Sequence, residues 1–181
     1  MRIGGTLNVS TSTFSGNRAA SFGGGINNGN FSGPVAVTNS TFSGNSATTA
    51  SGAIVIGFPG ISTGLKSTIF AASISGSNCS GPPITDQGFN ISTDASCAFA
   101  KGTSHNNVPD TQLKLGLLQN NGGPTKTIAL GAGSLAIDTV PVEFRNDQAM
   151  PPNQITTDQR GSKRPDAAEG ICDIGAYEFP D

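Results

Sequence analysis

The N-terminal half of the chain repeats itself every 28 residues. Val9-Ser-Thr-Ser-Thr-Phe14-Ser-Gly-Asn17 returns as Val37-Thr-Asn-Ser-Thr-Phe42-Ser-Gly-Asn45. It decays into Leu65-Lys-Ser-Thr-Ile-Phe70-Ala-Ala-Ser73 one period later. Between these runs, Gly23-Gly-Gly-Ile26 is echoed by Ser51-Gly-Ala-Ile54. A fixed period of this length, made of short segments and Gly-rich corners, is the signature of a solenoid in which each repeat buries itself against the next.

Thr6-Leu-Asn-Val-Ser10 and Pro34-Val-Ala-Val-Thr38 alternate with period 2 and read as strands. Strands stacked about 4.8 Å apart superpose like residues along the stack. Repeated charge would repel itself a rung away, whereas Asn, Ser and Thr can form hydrogen-bonded ladders. Thr11, Asn39 and Ser67 should fall on one such line, and Asn17, Asn45 and Ser73 on another. Phenylalanines, Ile and Val should stack rung on rung inside a narrow core. Parallel crossovers are right-handed on general grounds. The expected fold is therefore all-β: a right-handed parallel β-helix over residues 1–90, with a loop-rich capping region over 91–181.

Charge supports that division. Only 12% of the 181 residues are charged, about half the usual share. Residues 1–85 hold Arg2, Arg18 and Lys66 and no acid, and every carboxylate lies from Asp86 onward. No apolar or heptad run is long enough for a membrane span, coiled coil or helical bundle. A net charge of −2 with regularly recurring apolar residues argues against charge-driven disorder. Ten Lys plus Arg in an acidic chain argue against a nucleic-acid partner. Met1-Arg2-Ile3-Gly4-Gly5 contains no signal-peptide core, and nothing like a sorting tail precedes Phe179-Pro180-Asp181. Because residue 1 falls inside a repeat, the expectation is a piece of a longer protein.

Two resemblances follow from the motifs. Phe14-Ser-Gly-Asn17 with Gly23-Gly-Gly-Ile26, and Phe42-Ser-Gly-Asn45 with Ser51-Gly-Ala-Ile54, resemble the paired F-x-x-N and G-G-A-I elements of polymorphic outer-membrane protein repeats. Further on stand Asp86-Gln-Gly-Phe-Asn-Ile-Ser-Thr-Asp94, Leu117-Leu-Gln-Asn-Asn-Gly-Gly-Pro-Thr125, Gly133-Ser-Leu-Ala-Ile-Asp138, Thr157-Asp-Gln-Arg-Gly161 and Cys172-Asp-Ile-Gly-Ala-Tyr-Glu178. That ordered series, over about residues 78–179, resembles the choice-of-anchor Q domain at the end of bacterial β-helix surface proteins. Leu135 stands where that pattern has Pro. The resemblance implies an extracellular or bacterial cell-surface location and an anchoring segment beyond the motifs. It also makes an oxidised Cys79–Cys97 pair the expectation, since three cysteines cannot all pair within one chain and these two enclose a short Gly/Pro-containing segment. Family members often carry a Cys between the A-I-D and T-D-Q-R-G motifs. None lies between Asp138 and Asp158 here, leaving Cys172 without an evident partner.

Candidate chemistry is sparse. His105, the single histidine, sits in polar Lys101-Gly-Thr-Ser-His-Asn-Asn107 and reads as a solvated loop, with no G-x-S-x-G elbow to make a nucleophile. One His and three dispersed Cys do not supply a zinc site. Carbohydrate-active β-helix enzymes, whether polysaccharide lyases or glycoside hydrolases, need clustered carboxylates or Ca²⁺ with a basic residue. The acid-free stretch to residue 85 cannot provide these. Asp138, Asp158 and Asp173 are the candidate Ca²⁺ ligands, with Arg160 and Glu178 completing any catalytic set. The favoured reading makes all five structural, tying turns together. The expected function is a non-enzymatic surface module, a stalk or adhesion surface with an anchoring region. It needs no cofactor, is monomeric, and meets a surface polysaccharide or a host or cell-surface glycan. The alternatives are a fragment of a carbohydrate-active β-helix enzyme, or a solenoid whose Thr11-Ser12-Thr13 and Thr38-Asn39-Ser40-Thr41 rows face glycan or ice.

Overall fold

Alternation at the start of each repeat produces short strands in a constant order. The computed structural model describes residues 5–29, 33–57, 60, 62–148, 152–166 and 170–180. Expectations that touch residues 1–4 or 181 lie outside the described residues. The first repeat holds β1 (Leu7–Ser10), β2 (Thr13–Ser15), β3 (Arg18–Ala19) and β4 (Ile26–Asn28). The second holds β5 (Val35–Thr38), β6 (Thr41–Ser43), β7 (Ser46–Ala47) and β8 (Ile54–Ile56). The third holds β9 (Thr63–Lys66), β10 (Ile69–Ala71) and β11 (Cys79–Ser80), and a shortened fourth holds β12 (Thr85–Asp86) and β13 (Ile91–Ser92). Equivalent strands pair in parallel as β1-β5-β9-β12, β2-β6-β10-β13, β4-β8-β11 and β3-β7.

The register follows the sequence repeat. Val9 pairs Val37 and Val37 pairs Leu65, while Phe14 pairs Phe42 and Phe42 pairs Phe70. Contacts between neighbouring rungs span 28 residues at first, then 22 and 14 as the turns shorten. Ile69 pairs Ile91, and Ile91 in turn bridges His105 in parallel. His105 is therefore a rung of the ladder, its N–H donating to Asn90 at 2.7 Å and its carbonyl accepting from Ser92 at 2.9 Å. The loop around it stays solvated, with Lys101–Thr103 and Asn107 exposed and His105 half-buried.

The predicted polar lines form in part: the first stacks as a shared corner with no side-chain ladder, the Ser67 hydroxyl being buried without a partner, and the second joins Asn17 to Asn45 while Ser73 bonds to Asn78. Thr11, Asn39, Ser67 and then Phe89 occupy the left-handed region at φ 43°, 45°, 47° and 57°, one per turn at the same corner. The next residue stabilises that corner, because the hydroxyls of Ser12, Ser40 and Thr68 each donate to the carbonyl two residues back. On the second line, the Asn17 N–H and side-chain amide both donate to Asn45 Oδ1, and Asn45 donates to the Phe14 carbonyl. Inside the stack, Phe14 and Phe42 lie 4.5 Å apart and 1° from parallel, Phe42 and Phe70 lie 4.9 Å apart, and Phe99 completes the column at 6.1 Å. Ile26, Val37, Ile54 and Leu65 fill the space around them.

A second core forms outside the first. In β10, Phe70 points inward, whereas Ile69 and Ala71 point outward and join Ile91, Leu113, Leu130, Val140, Ile174 and Tyr177. The partners come from α1 (Asp110–Leu113), the antiparallel hairpin β14 (Leu115–Gln119) with β15 (Thr127–Leu130), and the antiparallel pair β16 (Val140–Pro141) with β17 (Ile171–Cys172). The C-terminal segment thus lies along the flank of the β2-β6-β10-β13 sheet. There Gly175 donates to the Ser67 carbonyl and Ala176 to Thr41 Oγ1, both at 3.0 Å. Gly175, at φ 104°, admits no side chain, since a Cβ would sit 2.8 Å from Thr41 Oγ1. This flank docking buries Thr41, while Gln148 covers Thr38 by donating to its hydroxyl. Thr38, Asn39, Ser40 and Thr41 are all at most 2% exposed. Of the two rows proposed to face glycan or ice, Thr38–Thr41 is therefore not a surface, whereas Thr11–Thr13 stays half-buried. Among the described residues, no helix is long and apolar enough to cross a membrane.

Candidate functional site

The C-terminal motifs converge on a buried network of ions and hydrogen bonds. Asp158 opens the turn that runs through Gly161, its Oδ1 accepting the N–H of Arg160 at 2.8 Å and of Ser162 at 3.0 Å. Its other oxygen accepts Arg160 Nε at 2.7 Å and the Glu178 N–H at 3.0 Å. Arg160 then spreads over three segments. Its guanidinium lies 3.7 Å from the Tyr177 ring centre, donates to the Asn121 carbonyl at the hairpin tip, and donates to the Glu178 carbonyl. Gly123, in the Asn-Gly-Gly-Pro tip, has φ 85° and no room for a Cβ, which would lie 2.6 Å from Arg160 Cα. The glycines of that motif let the tip close onto the arginine.

Arg164 is the centre of the network. It is 1% exposed and bonds through all three of its nitrogens: Nε to Glu178 Oε2 at 2.6 Å, one Nη to the Gly175 carbonyl at 3.0 Å and the other to the Asp173 carbonyl at 2.7 Å. Glu178 also accepts the Asp173 N–H. The Asp173 side chain accepts the N–H of Asp138 at 2.9 Å and of Phe179 at 2.6 Å. Burial pushes the Asp173 carboxyl up to about 7 against those two donors, and pushes the Cys172 thiol beside it up to about 12. An un-ionised, buried thiol is a poor nucleophile and a poor metal ligand.

Of the proposed Ca²⁺ ligands, Asp158 and Asp173 are buried and face backbone N–H groups and arginine. Asp138 joins them through its main chain and is itself solvent-exposed. No cluster of three or more His, Cys, Asp or Glu side chains arranged to hold a metal occurs among the described residues. The network's chemistry is that of a clasp, with each charge spent on a particular carbonyl or N–H of the chain itself.

Cys79 and Cys97 are disulfide-bonded, with Cα atoms 4.9 Å apart. Around this bridge the two acids that bound the Asp86–Asp94 motif act as polar pegs, a role that motif reading did not assign to them. Asp86 accepts from the N–H groups of Gly88, Ala100 and Lys101, from the Asn90 amide and from the Ser104 hydroxyl. Asp94 gathers Asn78, Ser92 and Ser96 in the same way. Burial raises the proton affinity of both carboxylates, but these donors outweigh it and hold both below the usual range. Lys66, in the third copy of the repeat, and the half-buried Asn146, outside every motif, form a further polar contact. The one available signal was Lys66 itself, the sole charge between Arg18 and Asp86. Comparison with family models, with curated proteins and with solved structures returns no match to this chain.

Proposed function

We propose that the chain is a non-enzymatic extracellular or cell-surface module. A short right-handed parallel β-helix acts as a stalk or adhesion surface, braced along one side by a region of the choice-of-anchor Q type. The observation that carries this reading is the arrangement of Asp158, Arg160, Arg164, Asp173 and Glu178. An active site for acidic polysaccharide needs carboxylates or a cation presented to solvent. Here those five charged groups turn inward and tie the C-terminal segments to one another, while the main chain of Gly175 and Ala176 in the same stretch bonds to the coil. The Cys79–Cys97 bridge supports an oxidising, extracellular setting. The low charge of the coil is what in-register stacking favours in a rigid rod. A polysaccharide or glycan is the partner this reading implies, met on exposed coil faces rather than at the buried Thr38–Thr41 row.

The test has two arms. Antibody against the chain should label intact cells that produce it, and brief external protease should strip that label. The purified chain should release neither reducing ends nor unsaturated products from a panel of neutral and acidic polysaccharides. Product release would overturn the non-enzymatic assignment, and label confined to lysed cells would overturn the location.

A further inference from the structure

Lys66 ends β9 and is 7% exposed. It occupies the column of Ser10 and Thr38, where the two preceding rungs carry small hydroxyls. Its ammonium group reaches a single residue of the covering segment, donating to the Asn146 main-chain carbonyl at 3.3 Å and to the carboxamide oxygen of the same side chain. Among the described residues, the two ion pairs lie elsewhere, in the C-terminal network. A buried ammonium facing amides is poorly compensated. Burial pulls this amine toward its neutral form, Asp147 opposes that pull, and Lys101 adds to it. The facing segment is anchored on both sides of Asn146. Phe144 packs on Phe89 at 5.4 Å, and the Gln148 amide donates to the Val37 and Gly64 carbonyls and to Thr38 Oγ1. A buried amine and a half-buried carboxamide are thus held against each other by two independent fixings.

We propose that Lys66 and Asn146 become joined by an intramolecular isopeptide bond. Nζ attacks Cγ of the Asn146 carboxamide, an Nζ–Cγ amide bond forms, the Cγ–Nδ2 bond breaks, and Nδ2 leaves as ammonium with the two protons that the Lys66 ammonium sheds. No oxidant, cofactor or second substrate enters the balance. Fixed proximity of this kind supplies the equivalent of a very high local concentration of the attacking group. The product replaces a buried ammonium by a neutral amide and ties the third rung of the coil to the segment that covers it. This inference stands apart from the surface-module reading, because it concerns a bond within the chain and is read without any partner.

The decisive measurement is the intact mass of the purified, reduced full chain. The expected mass is lighter than the sequence by one ammonia. Digestion with trypsin should leave Lys66 uncleaved and yield a branched peptide in which the Asn146–Arg160 fragment is attached to the Ala19–Lys101 fragment. Lys66→Arg and Asn146→Ala should each abolish the ammonia-deficient species completely, a readout that holds whether or not those variants fold. Full sequence mass with normal cleavage after Lys66 would overturn the proposal. So would an ammonia loss that persists in Lys66→Arg, since the modification would then lie elsewhere.

Discussion

Arg164 is the largest of the fully buried side chains among the described residues, and it ties its own loop to three points on the single stretch Asp173–Glu178. Removing one partner from a buried, hydrogen-bonded pair leaves the other uncompensated, at a cost of roughly 3–5 kcal/mol. Arg164→Leu should therefore lower the urea midpoint by an amount of that order. Arg164→Lys should recover little, because an ammonium cannot serve a carboxylate and two carbonyls from one planar fork. Asp173 makes a prediction of different sign. It titrates at about 7 in the folded chain, against 3.8 as its ordinary value. Between those values the folded form keeps a proton that the unfolded form has lost, so this residue makes stability fall as pH rises through the window. Asp86 and Asp94 act oppositely, their contribution being present above the ordinary carboxylate value and lost as pH falls through their depressed folded values. Stability should peak in the mildly acidic range. Asp173→Asn should flatten the neutral side of the profile in denaturant titrations and leave the acid limb in place.

Among elements, the phenylalanine column and the C-terminal clasp differ in how far the sequence announced them. Phe14, Phe42 and Phe70 recur in one frame, so their stacking is legible as soon as the period is known. Phe42→Ala should cost about 3–5 kcal/mol in chemical unfolding, because the ring is sandwiched between two others and fully buried. Phe22→Ala, at a ring 48% exposed, should stay within about 0.5 kcal/mol of the parent. The alignment of Asn39 with Ser67 was legible for the same reason, but that it marks a left-handed corner was not, since the sequence points to glycine for such turns. What the repeat could not convey is contact between unlike elements. Ile69 replaces Thr13 and Thr41 on an outward position, which looks like decay of the repeat, but it marks where a second core begins. Asp158, Arg160 and Glu178 stood out as motif residues, yet their partners are mostly carbonyls and N–H groups, which carry no side-chain identity for a sequence to display. Lys66 and Asn146 belong to neither class. They meet across 80 residues, and no local pattern encodes such a distance.

For the molecule as a whole, the two cores share a wall. β10 gives Phe70 to one and Ile69 and Ala71 to the other, so neither core survives intact when that strand leaves the sheet. Unfolding should be a single cooperative transition despite the compositional break at Asp86, with calorimetric and van't Hoff enthalpies in agreement. Two separate transitions would mean that the coil persists without its brace. The position of Tyr177 makes the brace directly observable. It is the only tyrosine in a chain without tryptophan, it is 8% exposed, and its ring lies beneath the Arg160 guanidinium. Ultraviolet emission excited selectively at tyrosine therefore originates from one address on the molecule, the seat of the C-terminal segment. The protein contains its own optical probe, reporting in real time whether that segment is docked, with no label attached.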